Sequence, residues 1–161
     1  GNLIHIIDCE EHSSRTLSWY VDLLRSKGYN YGTHLFPHDV EQVDGLSTGF
    51  TRKDFLEDMK VPVTTVPRLH IADGIESVKA LLSSRVYICS NRCRALIKAL
   101  EHYHREWDDK HKVYANKPRH DWSSHYCDSI RMLANGQNLL YGADGLNADA
   151  IKEMRRKHGY K

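Results

Sequence analysis

The chain has no apolar run approaching the ~20 residues of a membrane-spanning helix, and its opening lacks a secretory signal's basic-then-apolar layout. A membrane protein and a secreted one are therefore not expected. No G-x-x-x-x-G-K-[ST] phosphate loop occurs, so the chain alone is not expected to work as an ATPase. Cysteine is sparse: Cys9, Cys89, Cys93 and Cys127 sit mostly among apolar neighbours. The Cys89–Cys93 spacing is wider than a zinc knuckle's, and no second pair matches it, so buried free thiols are expected. There is no internal repeat, low-complexity segment or linker, and residues 1–161 read as one domain with one core. A net charge of +2 is too small to specify a partner.

What is present is unevenly spread. The chain is 40% hydrophobic and 27% charged, the balance of an ordinary globular domain. Residues 1–60 carry ten acids against six Lys/Arg, whereas residues 85–119 carry nine Lys/Arg against four acids. That basic stretch includes Arg92, Arg94, Lys98, Lys117 and Arg119. A local excess of positive charge can follow a phosphate backbone; a well-solvated helix face has the same composition.

Hydrophobic periodicity alternates between strand and helix. Leu3–Ile7 reads as a strand. Ser13 or Ser14 can cap a helix carrying Leu17, Val21 and Leu24 and ended by Gly28. Thr33–Phe36 reads as a strand stopped at Pro37, and residues 38–50 as a loop. Thr51 caps a short helix, and Val61–Val66 is a strand. Ile71, Ile75, Val78 and Leu82 mark an amphipathic helix, and Arg85–Cys89 a short strand. Ser90 caps a helix with Cys93, Leu96, Leu100 and Tyr103 inward; Lys112–Ala115 is extended. A strong helix starts near Asp121, a turn-rich tail begins at Gln137, and a weak basic helix covers Ala148–Lys157. This alternation predicts an α/β layered fold.

Two aspartates are escorted by histidines, in Pro37-His38-Asp39 and in the run from His120 to Asp128. Asp39 follows a strand end, where α/β sheets place their chemistry; an ordinary surface turn has the same composition. Asp121 and Asp128 are seven residues apart on one helix, about 10.5 Å of rise. Paired catalytic metals lie ~3.5–4 Å apart, so the two cannot readily serve one ion. Asp121 suits a helix N-cap. Asp128 lies beside core-facing Cys127, where a bound metal or an ion pair with Arg131 would offset the cost of burial. His120 and His125 could orient water or phosphate, or bond locally. Asp8, Glu10 and Glu11 read as a solvated strand end.

The run His120–Ala134 resembles the C-terminal helix signature of the nuclease domain of tailed-bacteriophage large terminase subunits, typically DWSSH…D…R.LA. Further stretches are similar in the same order: the first strand with Ile7-Asp8, Gly32–Asp39, Val66-Pro67-Arg68 with Ile71–Ile75, and His102-Tyr103 with Lys117-Pro118. The resemblance implies a ribonuclease H-like mixed β-sheet flanked by helices. It also implies a Mg²⁺- or Mn²⁺-dependent endonuclease that cuts concatemeric double-stranded DNA during packaging, in the cytoplasm of an infected bacterial host. In that family three acidic residues hold one or two metals; the second matches Asp39 and the third Asp128. The first two strands, with the first aspartate, have no counterpart here, so an N-terminally incomplete domain is expected, without the family's ATPase domain.

On this resemblance Asp39 and Asp128 are metal ligands, and His120 and His125 assist proton transfer or phosphate positioning. Arg92, Arg94, Lys98, Lys117 and Arg119 hold the DNA backbone without reading sequence. The full-length protein would engage a terminase small subunit and the portal or procapsid. The alternatives are a catalytically incomplete DNA-binding or motor-docking module, and a related junction-resolving nuclease.

Overall fold

The computed structural model describes residues 3–43, 49–84 and 86–140. The weak basic helix expected at 148–157 lies outside them. Strand β1 (Ile4–Ile6) leads to helix α1 (Leu17–Ser26). The cap is Thr16, not Ser13 or Ser14: its hydroxyl accepts the Trp19 amide at 3.3 Å. Gly28 follows at φ 66°. After β2 (His34–Phe36) the chain does not enter a featureless loop. Residues His38–Glu41 form a 3₁₀ turn, closed by the Val40 amide on the Pro37 carbonyl at 3.1 Å.

Helix α2 (Arg52–Asp58) begins in a reciprocal cap: the Asp54 amide donates to the Thr51 hydroxyl, and the Thr51 amide to Asp54 Oδ2. Such caps satisfy two donors that the helix itself leaves free. Then come β3 (Val63–Thr65), α3 (Ile71–Leu82), β4 (Val86–Ile88) and α4 (Arg94–His102). Helix α4 starts after Cys93, not at Ser90. An antiparallel hairpin, β5 (Arg105–Asp108) and β6 (Val113–Pro118), precedes α5 (Ser123–Leu140). Helix α5 runs through Gln137, where turns were expected.

Among the described residues the strands form three pairs rather than one mixed sheet. β1 pairs with β4 and β2 with β3, both parallel, and β5 pairs with β6. The α/β class is as expected; a continuous ribonuclease H-like sheet is not what these strands form. The physical difference lies at α1, which connects β1 to β2 although the two are not hydrogen-bonded to each other.

Two apolar clusters follow from this division. Leu81, Cys93, Leu96, Ile130 and Ala134 are buried among α3, α4 and α5 against β1 and β4. Val21, Val40, Leu56 and Val61 form a smaller one around α1 and α2. Helix α5 also reaches the β2–β3 pair through Gly136, where a Cβ would stand 2.9 Å from both Leu35 Cδ1 and Val66 Cγ2. Only a residue without a side chain permits that approach.

Candidate functional site

The parallel β2–β3 pair sets its two carboxyl ends side by side, so the residues after each strand share one rim. After β2 comes the 3₁₀ turn with Asp39. Its neighbours fasten it: Val40 is buried, and Glu41 accepts from the Thr65 hydroxyl at 2.8 Å and Lys53 at 3.3 Å. Those two contacts, Thr65 first, hold the Glu41 carboxyl below its ordinary range. After β3 come Arg68 and His70. Helix α5 closes the other side with Asp128.

Together these residues line a cavity of about 1020 Å³ containing Asp39, Asp128, His38, Arg68, His70, Lys117 and Arg131. Two aspartates remote in sequence thus face one space. Arg131 Nη2 lies 2.9 Å from Asp128 Oδ1. The arginine side chain is 19% exposed and the aspartate 45%, so the pair anchors Asp128 without burying it. Arg131 lies across Gly74 of α3, where a Cβ would come within 2.5 Å of its Cδ. Nearby, Asn135 Oδ1 is buried with no hydrogen-bond partner among the described residues, and Asn135 lines the same cavity. A buried acceptor without a donor is uncommon.

Carboxylate oxygens are the donor type that hard divalent cations prefer, so Asp39 and Asp128 fit Mg²⁺ or Mn²⁺ in kind. In number they fall short: no group of three His, Cys, Asp or Glu side chains suited to a metal occurs among the described residues.

His120 and His125 do not join the aspartates. They pack edge to face, ring centroids 5.9 Å apart, at the exposed start of α5, and neither lines the cavity. Asp121 is the cap it was expected to be. Its carboxylate accepts the Ser123 hydroxyl at 2.6 Å and amide at 2.9 Å, and His102 lies 3.1 Å away. The Ser123 contacts foremost hold its pKa down to about 2.

Of the five basic residues expected on DNA, Lys117 alone lines the Asp39–Asp128 cavity. Arg94 and Lys98 lie exposed on α4, and Arg119 is exposed beyond β6. Arg92 donates to the Tyr29 hydroxyl at 2.5 Å, beside a different cluster. There Lys27 bridges Asp8 at 2.8 Å and Glu10 at 2.5 Å. The end of β1 is therefore an ion-pair network rather than a solvated strand end, and the Lys27 contact holds both carboxyls below their ordinary range. All four cysteines are free, Cys93 and Cys127 buried.

Arg68, His70 and Asn135 escaped the reading of single motifs. The signal for the first two was the β2–β3 parallel pairing, which makes the residues after one strand neighbours of those after the other. Asn135 carried none.

The arrangement defines an α/β protein with a two-carboxylate, cation-lined cavity at the carboxyl ends of parallel strands. Over 99 residues, 58% of its length, the chain is 30% identical to the terminase large subunit of Escherichia phage T5. The chain spans 22% of that relative's length. No protein-family profile matches, and no solved structure matches. No helix among the described residues is long and apolar enough to cross a membrane.

Proposed function

We propose that this chain is the nuclease module of a viral DNA-packaging terminase, a divalent-metal-dependent endonuclease acting on double-stranded DNA. The observation that carries the reading is the convergence of Asp39 and Asp128 on one cavity with Arg68, Lys117 and Arg131. The similarity to a phage terminase large subunit supports the same reading. Asp39 and Asp128 would hold Mg²⁺ or Mn²⁺ through their carboxylate oxygens, and the metal would supply water activation and charge stabilisation at a phosphodiester. Lys117 and Arg68 would hold the phosphates, and Arg131 keeps Asp128 in place.

No third acidic side chain joins Asp39 and Asp128 among the described residues. β1 and β2 are not paired with each other, and an apolar cavity of about 570 Å³ lies beneath α1, lined by Ile7, Val21, Leu24, Phe36 and Leu56 among others. In the full-length protein the module works in the host cytoplasm with the small subunit and the portal or procapsid.

The test is nicking of supercoiled plasmid in Mn²⁺ by the native chain, Asp39→Asn and Asp128→Asn. Nicking by the native chain, abolished in both variants, is expected; equal nicking by all three removes the assignment. A second reading, a catalytically incomplete DNA-binding or motor-docking module, is favoured by the absence of a three-ligand group among the described residues. It predicts salt-sensitive DNA retention, no nicking, and no melting response to metal.

A further inference from the structure

The β5–β6 hairpin carries large aromatic side chains to the surface. Trp107 is 45% exposed and Tyr114 62%. They are cross-strand partners in the register, with ring centroids 4.9 Å apart at 70°. An edge-to-face pair occupies at most one of its four ring faces. The indole is also tethered at its far side, its N–H donating to Asp109 Oδ1 at 3.0 Å. An exposed tryptophan held at two points has already lost much of the rotamer freedom that binding would remove.

The charges on this arm are arranged unequally. Asp108 is consumed by its own turn, accepting the Lys110 and His111 amides and the His111 ring. Asp109 is engaged by Trp107 and by Lys112 at 3.5 Å. Arg105 and Lys110 remain exposed, as does the carboxylate of Glu106. The arm is continuous with the carboxylate cavity: Asn116 and Lys117, on the same strand as Tyr114, form part of its wall.

We infer that the Trp107–Tyr114 pair is a base-stacking platform for an unpaired DNA strand, which β6 leads past Lys117 into the Asp39–Asp128 cavity. This rests on the nuclease reading and narrows its substrate to DNA with a single-stranded or frayed segment beside the scissile site. Within a duplex the base faces are covered by their neighbours; in an unpaired strand they are free, and each aromatic–base stack contributes about 1–3 kcal/mol whatever the base.

The test is fluorescence anisotropy of the full chain, without metal, against two labelled duplexes at fixed salt: one blunt, the other with a single-stranded overhang. The native chain should bind the overhang duplex roughly tenfold more tightly, the equivalent of one stack. Trp107→Ala and Tyr114→Ala should each abolish that preference while leaving blunt-duplex affinity unchanged, and Trp107→Phe should retain part of it. Matching far-ultraviolet circular dichroism would show the variants folded. Equal native affinity for both duplexes overturns the inference, as does a proportional loss on both. Variants that alter self-association but not oligonucleotide binding would assign the hairpin to a protein contact and overturn it too. Asp39→Asn and Asp128→Asn should keep the overhang preference. Absent nicking with that preference intact therefore sinks the nuclease reading alone, and nicking without the preference sinks this inference alone.

Discussion

Two cavities lie on either side of β2, and they are built from opposite materials. The larger is lined by carboxylates, guanidinium groups, imidazoles and a lysine, and contains a buried amide oxygen with no partner among the described residues. The smaller, beneath α1, is lined mainly by aliphatic and aromatic side chains, with Asp8, Glu10 and Lys27 also at its wall. Space surrounded by polar groups that have not satisfied one another suits a charged ligand. Space surrounded by apolar groups suits more polypeptide, because filling it gains dispersion contacts that a void forfeits. We assign chemistry to the first and read the second as a packing defect.

The largest expected effect that bears on this contrast is in stability. Leu96 is packed from all sides in the cluster around α4, so Leu96→Ala should cost about 2–5 kcal/mol in urea unfolding. Leu56 is equally buried but borders the apolar cavity. It has fewer partner atoms to lose, and Leu56→Ala should fall near the lower end, about 2 kcal/mol or less. Equal losses would mean that the space beneath α1 is no true packing defect.

A smaller effect probes the polar cavity. Gly74→Ala places a methyl group against the Arg131 side chain and displaces it from Asp128. Alanine's better helix propensity, about 1 kcal/mol, offsets much of the loss of a partly exposed ion pair, ~0.2–1 kcal/mol. The melting temperature should hardly move, while Mn²⁺ binding should weaken roughly tenfold as Asp128 loses the side chain that holds it in place. Unchanged Mn²⁺ affinity would show that Arg131 does not position the carboxylate.

What could be read from the sequence was local. The Thr51 cap and the inward faces of α4 and α5 through Cys93, Leu96, Cys127 and Ile130 follow from spacing alone and are found as expected; α3 forms where expected, but it buries Gly74 and Leu81 and leaves Ile71 and Leu82 of the expected stripe exposed. Asp121 as a cap and Asp39 at a strand end were legible for the same reason. Strand β5, Arg-Glu-Trp-Asp, was not: it has no apolar alternation, because its stability comes from pairing with β6 rather than from a buried face. Helix α5 continued through Gly136 because the β2–β3 pair needs that close approach, a tertiary reason with no local signal. The site was half legible. Asp39 and Asp128 face one cavity, but which cations accompany them depended on strand pairing, and His120 and His125 lie at the exposed start of α5 without lining that cavity.

The central claim is that Asp39 and Asp128 hold one metal site. Its most direct test is the melting temperature of the native chain, Asp39→Asn and Asp128→Asn as Mn²⁺ is raised. A ligand at a hundredfold its dissociation constant stabilises the folded state by about 2.7 kcal/mol, a rise of roughly 5–10 °C for a chain of this size. A saturating rise of that order is expected in the native chain, lost in each variant. An equal rise in all three, or none in the native chain, would contradict it.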